Sequence, residues 1–457
     1  MTGTEILIKA AQLILSLSIL VVLHEMGHFV AAKVFKCRVE KFYLFFDPWF
    51  SLFKKKIGET EYGVGWLPLG GYVKISGMID ESMDKEQMSQ PPQPWEFRSK
   101  PAWQRLIIMI GGVTVNLLLA FVIFAMVLFV WGEKKLPMGN LNGGILCTDS
   151  LAYDLGFQDG DQVVSINGEP VKYFDDLMPQ MIYAEQVMVK RGDSTLQLTM
   201  PTNLIGQLVN NKENNRSAFL FAPNFPVYVA KVPDTSAAKA AGLQKGDHIL
   251  AVAGIPAHYF SELTKILSEH KGTTVAVDVE RKGSKQTLQM PVSQEGKLGF
   301  VPVGDLDDLE KLGAFQFEVR KYGFWASFPA GTARALDRLK DYVHQFKLIF
   351  KPSTGAYKGV GGFGSIANIF PAQWNWEAFW TLTAFLSVIL AFMNILPIPA
   401  LDGGHVMFLL YEIVTGRRPS DKFLEYAQIA GMVVLFGLLL LVNGMDVWRG
   451  IKGFFNH

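Results

Sequence analysis

The stretch 6–34 constrains this chain more than any other: it is apolar from end to end, yet it carries His24, Glu25 and His28 in its second half. About 20 apolar residues suffice to cross a bilayer as a helix, so the run is long enough to span one. Histidines four apart on a helix lie one turn above each other on the same face, and both can ligate one metal ion. The carboxylate between them can hold and deprotonate a metal-bound water. An ionisable group at membrane depth costs ~2.5–3.5 kcal/mol on insertion scales, so three together point to a functional site. Glu5 precedes the first basic residue, Lys9, and no small-residue cleavage point interrupts the run before His24. The run therefore reads as a retained span, not a removable signal peptide.

Composition agrees. Of 457 residues, 49% are hydrophobic and 19% charged, which is too apolar for an ordinary soluble protein but leaves room for polar domains between spans. A net charge of +1 gives no ground for a nucleic-acid partner. Four segments pass as spans, at about 6–34, 106–131, 379–396 and 429–442 with its flanks, and Trp131 and Trp380 suit interfacial belts. The apolar piece 406–414 is too short to cross and reads as a buried or interfacial helix. The loop 35–101 holds Lys36, Arg38, Lys41, Lys54, Lys55, Lys56, Arg98 and Lys100, and the turn before the fourth span holds Arg417, Arg418 and Lys422. An even number of spans separates these basic stretches, so the positive-inside rule places both on the cytoplasmic face. The chain ends and the central region then lie outside, and Cys37 and Cys147 fall on opposite sides with no bridge between them. The first and third spans run in the same direction, which brings the histidines and the end of the third span to one inward depth. A basic stretch at 334–351, interspersed with Leu336, Leu339, Tyr342 and Phe346, reads as an amphipathic support at the outer surface.

Within the first loop, Tyr62, Val64 and Trp66 alternate with Gly63 and Gly65, and Tyr72, Val73 and Ile75 follow the Gly70-Gly71 turn. This is a hairpin pattern over 61–77, read either as a surface hairpin or as one that dips towards the site and offers a strand edge. Asp47 reads as a turn residue, and a Pro-rich linker at 90–94 lies beside the acidic stretch 80–86.

The central region holds an internal repeat. Residues 150–170 align without gaps on 236–256, with Gly156/Gly242, Gly160/Gly246, Asp161/Asp247, Gly168/Gly254 and Pro170/Pro256 coinciding. Each copy predicts a short helix ending in glycine, a Gly-Asp turn and an apolar strand, with further strands at 186–190 and 195–200, and at 274–280 and 286–292. The pattern resembles a tandem pair of PDZ domains. PDZ domains take extended peptide ends by strand addition, so peptide C-termini are possible ligands of these grooves.

Two histidines leave a tetrahedral zinc short of one protein ligand and an open position. The supplier is the stretch 393–405, where Pro397 and Pro399 break the third span and Asp402 and His405 follow; the residues alone leave both open as the third ligand. Here the chain resembles the site-2 protease family of intramembrane zinc metalloproteases, nearly end to end. The resemblance rests on His24-Glu25-Met26-Gly27-His28, on Asn394, Pro397, Pro399 and Leu401-Asp402-Gly403-Gly404-His405, and on the paired PDZ-like domains between them.

The resemblance implies zinc held by His24, His28 and Asp402, with Glu25 as general base. It implies that Asn394 holds substrate backbone or the oxyanion, and that the 61–77 hairpin is a membrane re-entrant loop whose Tyr62, Val64, Gly65, Trp66, Gly70, Gly71 and Tyr72 line the substrate. The expected fold is a polytopic α-helical membrane protein of four spans with a membrane-associated β-hairpin and two inserted PDZ-like α+β domains. Its parts are a first span 1–35, a cytoplasmic loop 36–101, a second span 102–132 and PDZ-like domains at 133–221 and 222–310. A connector with the amphipathic helix follows at 311–374, then a third span 375–403 and a closing part 404–457. The expected partners are the bilayer and a single-span substrate of the anti-sigma-factor type, with remnant signal peptides as a second class. The expected place is a bacterial inner membrane, PDZ pair periplasmic and site near the cytoplasmic side. Two departures stand out: Gly111-Gly112-Val113-Thr114-Val115-Asn116 where the family commonly has Gly-Pro-x-x-Asn, and Gly361-Gly362-Phe363-Gly364-Ser365-Ile366 where relatives often have Ser-Gly-Pro before Ser-Ile.

Asn116 reads as a packing or hydrogen-bonding residue before a substrate contact, and His248, His258, His270 and His344 as surface or domain residues. An idle membrane scaffold is disfavoured by Glu25, which a scaffold does not need. A transporter with helices broken at Pro397 and Pro399 is disfavoured because no inverted repeat of spans is visible.

Overall fold

The computed structural model describes residues 2–68, 70–78, 90–213 and 219–455; the acidic stretch 80–86 lies outside them. The chain divides into two units, Met1–Gly132 with Lys321–Leu348 and Val360–His457, and Glu133–Arg320 with Ile349–Gly359.

The first unit opens with α1 (Gly3–Val34), started by a capping box between Thr2 and Glu5. Four strands follow, β1 (Val39–Leu44), β2 (Phe46–Ile57), β3 (Thr60–Leu67) and β4 (Tyr72–Ile75). The longer helices that follow are α2 (Ala102–Val130), α3 (Phe324–Ile349), α4 (Trp376–Ile395), α5 (Asp402–Thr415) and α6 (Asp421–Phe455). Among the described residues, α1, α2, α4 and α6 are the 4 helices long and apolar enough to cross a membrane. Lipid offers no hydrophobic drive between helices, so buried polar contacts and close packing must join them. Ser16 and Thr383 share a hydrogen bond of 3.0 Å between α1 and α4, and the Ser387 hydroxyl donates to the Asn116 carbonyl of α2 at 2.7 Å. These four side chains are buried.

The expected 61–77 hairpin is not formed. The strand order is β2-β3-β1-β4, so β1 lies between β3 and β4, parallel to the first and antiparallel to the second. The hairpin is instead β2–β3, turned at Gly58. Alternation in the sequence marks both strands but not their partners, and the inserted β1 comes from twenty residues earlier. Among the described residues, the outer strands of this sheet are therefore β2 and β4. Asp47 lies within β2, where it accepts from the Tyr72 hydroxyl at 2.8 Å and from Ser51 at 3.0 Å.

The amphipathic helix α3 is packed along the spans, not laid apart from them. A Cβ on Gly331 would sit 2.7 Å from Ala125 Cα of α2, and Tyr342 and Phe346 both meet the Phe392 ring of α4. Ser327, Gly331 and Ala335 recur every fourth residue and are buried, a small-residue face that admits a neighbouring helix. Trp380 also packs inward, against Phe379 and the α2–α4 core.

In the second unit the two repeat copies build sheets of the same strand order. The first uses Gln162–Ile166, Glu169–Pro170, Gln186–Arg191 and Ser194–Thr199; the second uses His248–Val252, Ile255–Pro256, Thr274–Arg281 and Ser284–Pro291. The aligned Asp161 and Asp247 are both fully buried. Asp161 accepts from Arg191 at 2.7 and 2.8 Å, and Asp247 from Arg281 at 2.7 and 2.6 Å. Each also accepts a backbone N–H three residues earlier, from Gln158 and Gln244. The boundary expected at 310 falls earlier, because Leu309 and Phe315 pack into the first copy's core and Glu318–Arg320 pairs with Glu133–Lys135.

Candidate metal centre

Helix α1 sets His24 and His28 one turn apart, facing α2. The broken end of α4 supplies the opposing group. Pro397 and Pro399 cannot continue the helix, Ala400 takes a φ of 80°, and α5 restarts at Asp402. The glycines after it are required by space: a Cβ on Gly404 would lie 2.7 Å from both the Ile398 carbonyl oxygen and Pro399 Cα.

Three atoms converge. His24 Nε2 and His28 Nε2 are 3.3 Å apart, and Asp402 Oδ2 is 3.2 Å from each. His28 Nδ1 lies 2.8 Å from the Ile108 carbonyl. A carbonyl only accepts, so Nδ1 carries the proton and the neutral ring turns a lone pair at Nε2 towards Asp402. Asp402 Oδ2 is itself buried without a hydrogen-bond partner. Lone pairs held this close repel one another unless a cation sits among them. A tetrahedral zinc with bonds of about 2.0–2.1 Å places its ligands roughly 3.3 Å apart, which is the size of this triangle. The donor set and its spacing fit zinc, and among the described residues this is the group of His, Cys, Asp or Glu that could hold a metal.

Glu25, between the histidines, is directed at β4, whose Val73 N–H reaches its carboxylate. Asn394 Nδ2, on the last turn of α4, lies 3.4 Å from His24 Nε2. Gly71 runs against α1, with its Cβ position 3.4 Å from Glu25 Cγ. The other hairpin residues divide. Gly70 abuts the Phe46 ring, and Tyr72 is stacked between Tyr43 and Phe46 on the edge strand β4. Tyr62, Val64, Gly65 and Trp66 sit on the interior strand β3. There Tyr62 meets Phe29 and Phe42, Val64 pairs with Leu44, Gly65 fits under the Phe46 backbone, and Trp66 donates to the Pro48 carbonyl. They build the sheet, in contacts that include none of His24, His28 and Asp402. His405 lies one turn along α5 and lines a separate small cavity with Arg105 and Glu412.

Sequence reasoning did not single out α2 for the metal centre. Gly112 faces both imidazoles, and a Cβ there would lie 2.6 Å from His24 Cε1 and 2.8 Å from His24 Nδ1. Asn116, expected to serve packing or hydrogen bonding, has its side-chain amide 3.2 Å from His24 Nδ1. The signal that could have found them is Gly112-x-x-x-Asn116, one turn apart on one helix face.

A family model described as peptidase family M50 matches residues 12–438. A protein described as a zinc metalloprotease in Treponema pallidum is 28% identical over 464 residues, covering 96% of this chain and 98% of that one. The regulator of sigma-E protease RseP of Escherichia coli is 28% identical over 460 residues, covering 94% and 97%. Among solved structures, the PDZ domain of an SdrC-like protein from Listeria monocytogenes is 26% identical over 18% of this chain and 90% of that chain, with a TM-score of 0.16, which is too low to inform the fold. The family model and these relatives extend over nearly all of the chain, and the family's zinc chemistry meets a donor set of matching size. This chain is a zinc metalloprotease and belongs to peptidase family M50.

Proposed function

We propose that this metalloprotease cuts peptide bonds inside the membrane, within the spanning segment of single-span proteins. The observation that carries the reading is the position of the His24–His28–Asp402 triangle. It is built from α1 and the α4–α5 break, inside helices apolar enough to cross a bilayer, and a free strand edge passes alongside.

Zinc, when held by His24, His28 and Asp402, supplies a Lewis acid that polarises the scissile carbonyl and makes water acidic enough to deprotonate near neutral pH. Glu25 is the general base: its carboxylate takes the water proton and returns it to the leaving amine. The Asn394 amide donates to the developing oxyanion, a contact worth about 3 kcal/mol in comparable sites. A helical substrate has its peptide bonds paired and shielded, so it must unwind first. Its freed groups then need partners where water is scarce, and the open edge of β4 provides them by strand addition. Gly71 and Tyr72 lie on that path.

The substrate class that suits this site is a single-span protein of the anti-sigma-factor type already trimmed by a first protease, in a bacterial inner membrane with the repeat unit outside. The relative named as a regulator of sigma-E protease favours that class. The tandem repeat unit then serves as a size filter against untrimmed substrates. The decisive experiment incubates purified protein with a single-span anti-sigma substrate lacking its outer domain. Wild type should give product, and Glu25→Gln should give none while keeping its zinc; equal product from both sinks the proposal. Zinc contents of Asp402→Ala and His405→Ala separate the two candidate third ligands, with loss expected only for the former. The filter is abandoned if deletion of residues 133–310 still leaves a full-length substrate uncut.

A further inference from the structure

Three residues of α2, each four apart, face the two histidines of α1. Ile108 presents its carbonyl to His28, Gly112 leaves room for both rings, and Asn116 presents its side chain to His24. We propose that Asn116 is a positioning residue for the metal, its side-chain oxygen accepting from His24 Nδ1–H and so fixing the tautomer whose Nε2 lone pair faces the zinc. The inference rests on the reading of His24, His28 and Asp402 as the zinc ligands.

A neutral imidazole carries one proton on its two ring nitrogens. For His24 Nε2 to ligate, Nδ1 must bear that proton. The amide placed beside Nδ1 at 3.2 Å is oriented with its nitrogen inward, and Asn116 Oδ1 is then buried without a partner. An N–H facing an NH2 is a donor against a donor. Turning the amide by half a revolution keeps its shape and exchanges the two atoms, and this orientation is assigned from hydrogen bonding. The turn trades one unpartnered amide atom for another, so the His24 contact decides. With oxygen inward, His24 gains the same support that the Ile108 carbonyl gives His28. Both ligands then have a hydrogen-bond acceptor behind them on one face of one helix, the arrangement that sets ring orientation and basicity in metal sites.

Asn116 itself has little freedom. Its side chain is fully buried, and its backbone carbonyl accepts from Ser387 of α4. It therefore reports the α2–α4 packing directly to the first zinc ligand.

The test measures the zinc dissociation constant of the full-length protein in detergent, by competition with a chelator. Wild type is compared with Asn116→Leu, Asn116→Ser and Asn116→Asp. Leucine keeps the volume but removes the acceptor, serine keeps polarity but cannot reach, and aspartate keeps an acceptor in place. Loss of about 10–100-fold in zinc affinity for Leu and Ser, with Asp within a few-fold of wild type, supports the proposal. Equal affinity in all four proteins overturns it and returns Asn116 to a packing or substrate role. Equal weakening in all three variants also overturns it, since a merely structural role does not distinguish Asp from Leu. Wild type that binds no zinc, or whose zinc is indifferent to His24→Ala, defeats the ligand reading instead.

Discussion

Gly27 of α1 and Gly111 of α2 meet backbone to backbone. A Cβ on Gly27 would lie 2.6 Å from the Gly111 carbonyl carbon and 2.9 Å from Gly112 Cα, and neither backbone atom can move without moving its helix. The contact is one residue from His28 and flanks the Ile108–Gly112–Asn116 face, so the helix separation that it fixes is also the separation of His24 and His28 from that face of α2. Gly27→Ala should cost roughly 1–3 kcal/mol through overpacking and weaken zinc binding with it. Gly437→Ala is the control, because nothing lies within 4 Å of that position. Thermal unfolding and zinc content in detergent should separate the two variants, and a Gly27→Ala protein as stable and as zinc-replete as the control contradicts the close-contact argument.

Gly71 tests the strand edge without touching a ligand. Its Cβ position is 2.7 Å from both Val21 Cγ1 and the Tyr43 carbonyl oxygen, so Gly71→Val must push β4 away from α1 and Glu25. Displacement of about 1 Å at a reacting centre can cost around 10²-fold. Cleavage of a spanning peptide should therefore fall by about 10–10²-fold while zinc affinity stays at the wild-type value. A parallel loss of zinc would show that β4 supports the metal centre itself.

What the sequence displays and what it hides divide along locality. His24, Glu25 and His28 are readable because helix geometry fixes their mutual positions; two prolines announce a break at matching depth, but the residues there leave Asp402 and His405 both open, and only the family resemblance chooses Asp402. The duplicated Gly-Asp turns are readable because each copy corroborates the other. Pairing across distance is not. Alternation marks Tyr62–Trp66 as a strand, but only the fold shows β1 lying between it and Tyr72, which moves the free edge from β3 to β4. The charges of α3 pointed outward to an interface, whereas its Ser327, Gly331 and Ala335 face determines where it packs. Asn116 meets His24 across 92 positions of sequence; Gly112-x-x-x-Asn116 marks a helix face, but not the helix that this face meets.

Asp446 of α6 tethers the stretch where this chain departs from the family pattern. Its carboxylate accepts from the Gly362 N–H at 3.0 Å, the Ser365 N–H at 2.8 Å and the Ser365 hydroxyl at 2.6 Å, while Asn443 accepts from the Phe363 N–H at 3.1 Å. Hydrogen bonds to a charged group contribute about 1.5–3 kcal/mol each, and these share one acceptor, so they do not add fully. Asp446→Ala should raise amide hydrogen exchange across 362–367 by at least about 10²-fold, with zinc content unchanged. Exchange that stays at the wild-type rate would mean that Phe363 and its neighbours are held by packing alone.

The second repeat copy should show an acid limit set by its buried Asp247–Arg281 pair. Burial alone would push the Asp247 carboxyl up, but the Arg281 hydrogen bonds, the Gln244 N–H and the guanidinium charge outweigh it and hold the group below the ordinary carboxylate range. A carboxylate depressed in the folded state binds fewer protons there than in the unfolded chain. Its stabilisation is complete above the unfolded value of ~3.9 and is lost as pH falls through the folded one. Burial also holds the His248 imidazole below its ordinary value, which lowers stability as pH falls below about 6.5. Hydrogen exchange of the strands His248–Val252 and Thr274–Arg281 in the full-length protein should therefore show, beyond that decline, a further weakening below about pH 4. Asp247→Asn should remove that acid dependence and cost about 1.5–3 kcal/mol at neutral pH through the lost charge-assisted hydrogen bonds, since Arg281 is partly exposed and water can reach its freed guanidinium. Asp161→Asn should cause the same loss in the first copy through Arg191, leaving the second copy's exchange unchanged. A neutral-pH loss smaller than about 1 kcal/mol in both variants would show that solvent reaches the arginines and replaces the pair.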